Sequence, residues 1–123
     1  MNEIEYARIF TREFPEYGKT LDEHLNCYGE LLGHVFFGDI INKQLFELLK
    51  YDRDGERAEA LLNFIDDFYL QGDDDCKNIA IVTILEYLGD DRGVLEKAFK
   101  YLNKELVEEA IINEKAWGRY YVT

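Results

Sequence analysis

The sequence predicts an all-α protein, an antiparallel stack of about six helices that is HEAT-like or otherwise α-repeat-like. Three observations carry this. Gly38, Gly55, Gly72 and Gly89 stand 17 residues apart, and an acid follows each of them: Asp39, Glu56, Asp73 and Asp90. Glycine suits the positive φ just past a helix C-terminus, and an acid suits the next N-terminus. The interval therefore reads as one helix plus a tight turn, and a helix pair of roughly 34 residues falls within the range of helical repeats. Second, apolar residues recur at spacings of three and four along most of the chain. Third, Pro15 is the single proline, so the strongest helix breaker is absent elsewhere.

Taken in order, residues 3–14 place Ile4, Ala7, Phe10 and Phe14 on one helical face, and Pro15 and Gly18 break it. Thr20, with Glu23 three residues later, offers a capping box for a second helix with Leu21, Leu25 and Tyr28 inward. Residues 29–38 read as a loop or short turn in which His34-Val35-Phe36-Phe37 plugs the core, with a short strand as the alternative. Asp39 starts a helix to about Tyr51 that buries Ile41, Leu45, Leu48 and Leu49. Residues 56–70 form the next, burying Ala58, Leu61, Leu62, Ile65, Phe68 and Tyr69. Asp73 to Asp75 open a helix to Leu88 whose centre, residues 79–85, is apolar on nearly every side. Such a helix must be covered by neighbours and belongs in the middle of the bundle; its β-branched run leaves a strand as the alternative. Asp90 or Asp91 caps a helix through Leu102 with Val94, Leu95, Ala98, Phe99 and Leu102 inward. Asn103 interrupts, and residues 104–116 make the last helix on Leu106, Val107, Ala110 and Ile111. The aromatic tail from Trp117 to Val122 is expected to fold back on the bundle.

The 123 residues fit one domain, 1–123, with a hydrophobic fraction of 47% that suffices for a core without staples. The longest apolar runs fall short of a membrane span, and the start Met1-Asn2-Glu3-Ile4-Glu5 lacks the features of a signal peptide. The expectation is a cytoplasmic protein with Cys27 and Cys76 as reduced thiols. A net charge of −12 disfavours nucleic acid and anionic membranes as partners, and favours solubility or a basic partner.

A search for chemistry returns little. The chain has no serine, which removes a Ser/His/Asp site. Cys27 has His24 and His34 as candidate bases, yet no orienting third group, and reads as a buried structural cysteine. Cys76 lies one turn inside a helix N-terminus, but the three preceding aspartates oppose a thiolate. The phosphate-cradling glycine pattern is absent. Asp73–Asp75 and Asp90–Asp91 suit a hard cation, but helix capping explains them better and the EF-hand pattern is unmatched. No catalytic, metal or cofactor residues are assigned.

Charge distribution says more. From Glu47 to Asp75 there are ten acids and three bases, a local charge of −7. In a stack, the turns at 52–56 and 89–92 fall at one end, and those at 38–39 and 72–75 at the other. Asp66 and Asp67 sit late in their helix, where the dipole disfavours acids. Their placement asks for a reason: a basic partner, or a solvated face with nearby lysines.

The segments His34-Val35-Phe36-Phe37-Gly38-Asp39-Ile40 and Asn78 to Asp91 resemble a family of small acidic bacterial proteins, largely uncharacterised, often encoded beside polymorphic toxin genes. The resemblance covers roughly residues 24–102, and Gly33 stands where that family has a proline. It implies an all-helical fold and an immunity role in contact-dependent growth inhibition, and it supplies no catalytic residue. The expected function is therefore an immunity protein, not an enzyme, that neutralises a cognate toxin carrying a basic nuclease domain. The expected contacts are Asp66, Asp67, Asp73, Asp74, Asp75, Asp90 and Asp91, with Tyr69 and Tyr87 as aromatic anchors. The alternatives are a helical scaffold or adaptor that binds a peptide or protein, and a nucleic-acid mimic.

Overall fold

The computed structural model describes residues 1–119, which form an all-α stack. Its seven helices are α1 (Glu3–Glu13), α2 (Gly18–Tyr28), α3 (33–50), α4 (Gly55–Gln71), α5 (74–88), α6 (Arg92–Phe99) and α7 (Lys104–Ala116). A 3₁₀ turn at Pro15–Tyr17 links α1 to α2. No helix among the described residues is long and apolar enough to cross a membrane. Tyr120, Tyr121 and Val122 of the aromatic tail lie outside the described residues; Trp117, the first of that tail, is 64% exposed rather than folded back.

Local chemistry sets most boundaries. Asn2 caps α1 in a reciprocal capping box with Glu5. Asp54, Asp73, Asp91 and Asn103 each accept a backbone N–H at the start of α4, α5, α6 and α7. Asn103 is thus the N-cap of α7. Thr20 caps nothing: α2 begins at Gly18 with no side-chain cap. The helix after Asp91 stops at Phe99, three residues short of Leu102.

The largest departure from expectation is α3. Residues 29–38 are not a loop with a plug, because helix begins at Gly33 and runs unbroken through Gly38 to Lys50. Phe36 and Phe37 do enter the core, as residues of a helix continuous with Ile40, Ile41, Leu45 and Leu49. Both α3 and α5 contain a π-helical segment, Gly38–Asn42 and Ile79–Leu85. The two segments pack against each other. Val82 consequently points outward while Ile79, Ala80, Ile84 and Leu85 are buried, so α5 is central but not covered on all sides.

Three of the four spaced glycines, Gly38, Gly72 and Gly89, answer close contacts rather than backbone shape, whereas a Cβ at Gly55 would meet open space. Among the described residues, positive-φ glycines are Gly29 and Gly118, and none belongs to the 17-residue series. At Gly72 a Cβ would run into the Phe68 carbonyl and the Cys76 side chain, and at Gly89 into the Glu114 carboxylate. At Gly38 it would sit 3.2 Å from Thr83 Cγ2, where α3 crosses α5.

The core joins Tyr6, Phe10, Phe36, Phe37, Phe64 and Phe68 in a chain of edge, tilted and stacked ring contacts. α3 packs on α1, α4, α5 and α6, and α5 packs on α3, α4, α6 and α7. The chain start closes the stack: the Met1 ammonium donates to the Gln71 carbonyl at 3.2 Å, and Asp73 N–H donates to the Met1 carbonyl at 2.8 Å.

Candidate functional site

That closure places the N-termini of α1 and α5 side by side. Helix N-termini favour carboxylates, and the first turns of these two helices hold Glu3, Glu5, Asp74 and Asp75, with Asp73 as cap. A cavity of about 240 Å³ opens here, lined by Asn2, Glu3, Ile4, Leu31, Asp73 and Asp75. Burial raises the Glu3 carboxyl above its usual range, the Asp75 and Asp73 charges raise it further, and His34 opposes them weakly. The Cys76 backbone N–H holds Asp73 below the usual carboxylate range. The Cys76 thiol is buried and pushed up to about 12, first by burial and then by Asp73, so it is an inert thiol. Cys27, expected inside, is exposed. Among the described residues no lysine or arginine pairs with Glu3, Asp73, Asp74 or Asp75. No group of three His, Cys, Asp or Glu among them is arranged to hold a metal ion.

The remaining expected contact residues are dispersed. Asp90 and Asp91 lie at the far end of α5, about 22 Å away at 1.5 Å per residue. Asp90 pairs with Arg119 at 2.7 Å and Asp91 with Lys50 at 3.6 Å. Nearby, Asp52 pairs with Lys97 at 2.9 Å. Asp66 and Asp67 each have an internal hydrogen-bond role that accounts for their late-helix positions. Asp66 accepts the Asn103 backbone N–H at 2.7 Å and its side-chain N–H at 2.6 Å, fixing the start of α7. Asp67 accepts the Tyr6 hydroxyl at 3.1 Å, tying α4 to α1. Tyr69 is not available as an anchor: it is 4% exposed, and the Lys77 ammonium sits 4.6 Å from its ring centre while donating to its carbonyl. Tyr87 is partly exposed and packs edge-on against Phe46.

Tyr87 also borders a second cleft, of about 490 Å³, at the crossing of the two π-helical segments. Gly38 lets α3 approach α5, and Asn42 Nδ2 donates to the Thr83 carbonyl at 3.1 Å. His34 Nδ1 and Thr83 Oγ1 share a hydrogen bond above it. Asp39, Lys43 and Val35 complete the rim. Asn42 is only 9% exposed, and its Oδ1 has no hydrogen-bond partner among the described residues. Leaving a buried acceptor unsatisfied costs on the order of 1–3 kcal/mol, and π-helical segments recur at functional sites. Sequence reading missed this cleft. No one-dimensional signal marks it, because Asn42 is the first of three consecutive polar residues, Asn42-Lys43-Gln44, between Ile41 and Leu45. It missed Glu3 as well, although Asn2 and Glu5 spell the capping box that positions it.

A family model described as Domain of unknown function (DUF7674) matches residues 7–118, and the chain belongs to that family. No curated protein and no solved structure matches the chain.

Proposed function

We propose that this member of the DUF7674 family is a non-catalytic binding protein that neutralises a basic partner protein, and that it is an immunity protein occluding a cognate toxin. The supporting observation is the carboxylate set of Glu3, Asp73, Asp74 and Asp75, which no lysine or arginine of the described residues pairs. Carboxylates left open at one end of a chain of charge −12 attract a cationic surface over long range and raise the association rate. On contact they pair with its lysines and arginines, and close charge pairs at such interfaces couple by about 1.5–7 kcal/mol. The body of the stack then covers the partner's active surface.

The test is co-purification with the product of the adjacent upstream gene, together with a growth-protection assay. The expected result is a complex at micromolar concentration or tighter, weakened by salt, and weakened at least about tenfold by the triple change D73N/D74N/D75N, the loss of about one good charge pair. No complex and no protection overturns the reading, as does a complex indifferent to both salt and the triple change.

A further inference from the structure

The cleft at the π–π crossing has an exposed carboxylate on its wall and a buried, unpartnered acceptor on a residue that lines it. Asn42, more than nine-tenths buried, spends its amide N–H on the Thr83 carbonyl and leaves Oδ1 without a partner. Asp39 adds an exposed carboxylate on the same wall, and Tyr87 adds an aromatic ring. A donor-rich cation is the chemistry that answers an orphan carbonyl oxygen, a carboxylate and a ring together. An ammonium is a compact point charge, whereas a guanidinium is planar, carries five donors in a fixed fork and stacks on aromatic faces.

We propose that this cleft is an arginine-binding pocket: a partner's guanidinium donates to Asn42 Oδ1 and to the Asp39 carboxylate and packs against Tyr87. This deepens the basic-partner reading and rests on it, adding a specific contact to a long-range attraction. Oδ1 is closed to solvent in the free protein, so the entering group displaces a rim side chain. Lys43, exposed on a flexible stem and in no ion pair among the described residues, is the cation of the rim and must swing away for a second cation to enter. The roughly 490 Å³ of the cleft admit the side chain with the chain that carries it.

The experiment is a titration of the full chain, followed by NMR, with the blocked tripeptide acetyl-Ala-Arg-Ala-amide and its lysine counterpart. The arginine peptide is expected to shift the Asn42 side-chain amide together with Thr83 and Tyr87 signals, saturably. The lysine peptide and the D39N protein should each bind about tenfold more weakly or worse, the effect of one charge-assisted hydrogen bond. N42L should abolish the response, and D39N, at an exposed position, keeps the test valid if N42L folds poorly. Shifts confined to Glu3 and Asp73–Asp75 would overturn the pocket while leaving the basic-partner reading standing. Equal response to both peptides, or no response at millimolar peptide, would overturn it as well. Failure of the co-purification above, with the arginine response intact, would overturn only the toxin reading.

Discussion

At the end of the stack formed by the turns at 51–54 and 89–91, three aspartates meet three bases. Asp52 has Lys97, Asp91 has Lys50, and Asp90 has Arg119. Arg119 also grips Glu114, buried to 3% exposure against Gly89, and donates to the Glu86 carbonyl. At the opposite end, Glu3 and Asp73 to Asp75 crowd two adjacent helix N-termini; there the Cys76 backbone N–H and the Met1 ammonium favour the Asp73 charge, while the Glu3 charge is disfavoured, and no lysine or arginine of the described residues pairs with any of the four. The two ends look alike in sequence, each a glycine followed by aspartates. One is consumed by the fold and the other is left for the solvent or a partner. An acidic turn is therefore evidence of a binding surface only after its internal cations have been accounted for.

This contrast can be broken at either end. R119A should be the most damaging change, because it strands the buried Glu114 carboxylate. Arg119 is itself about a third exposed, so the cost is expected at about 2–3 kcal/mol, below the roughly 3–5 kcal/mol of a fully buried pair; urea unfolding would read it, and a loss under about 0.5 kcal/mol would mean that this end is not held by its ions. Next comes K97M, which removes a charged donor from the Leu49 carbonyl at 2.9 Å as well as the Asp52 pair. About 1–2 kcal/mol should be lost. D74N/D75N at the open end should change stability by only about 0.5 kcal/mol or less, since what these exposed acids gain from the dipole is offset by the repulsion between Asp75 and Glu3, while still weakening partner binding. A large stability loss there would show that both ends serve the fold.

The smallest effect carries a sign. Glu3 titrates above its ordinary value of 4.5 because burial, then Asp75 and Asp73, disfavour its charge. The folded state therefore holds that proton more tightly than the unfolded chain, and the associated stability is present below 4.5 and lost as pH rises through the folded value. E3Q should accordingly raise Tm relative to the unmodified protein at neutral pH, with the difference vanishing as pH falls below 4.5. A constant difference across pH, or a lower Tm at neutral pH, would show that Glu3 is satisfied by something other than solvent.

The sequence by itself determined the all-α class, helices at about 56–70, 73–88 and 104–116, and acidic starts at Asp73–Asp75 and at Asp90 or Asp91, of which the structure makes Asp73 and Asp91 the caps. These follow from interactions three and four residues apart, which an apolar period and a capping residue announce. Tertiary structure alone decided that Gly38 lies inside a helix, because its smallness answers Thr83, 45 positions away in the chain, rather than a turn. It likewise decided that Asp66 serves Asn103, that Asp67 serves Tyr6 and that Arg119 takes Asp90. Each of these joins residues brought together only by packing of the helices, so no local pattern records it. Asn42 is the sharpest case: in one dimension it is merely the first of the polar residues Asn42-Lys43-Gln44, and only the crossing of two π-helical segments buries it and leaves one of its two polar atoms without a partner among the described residues.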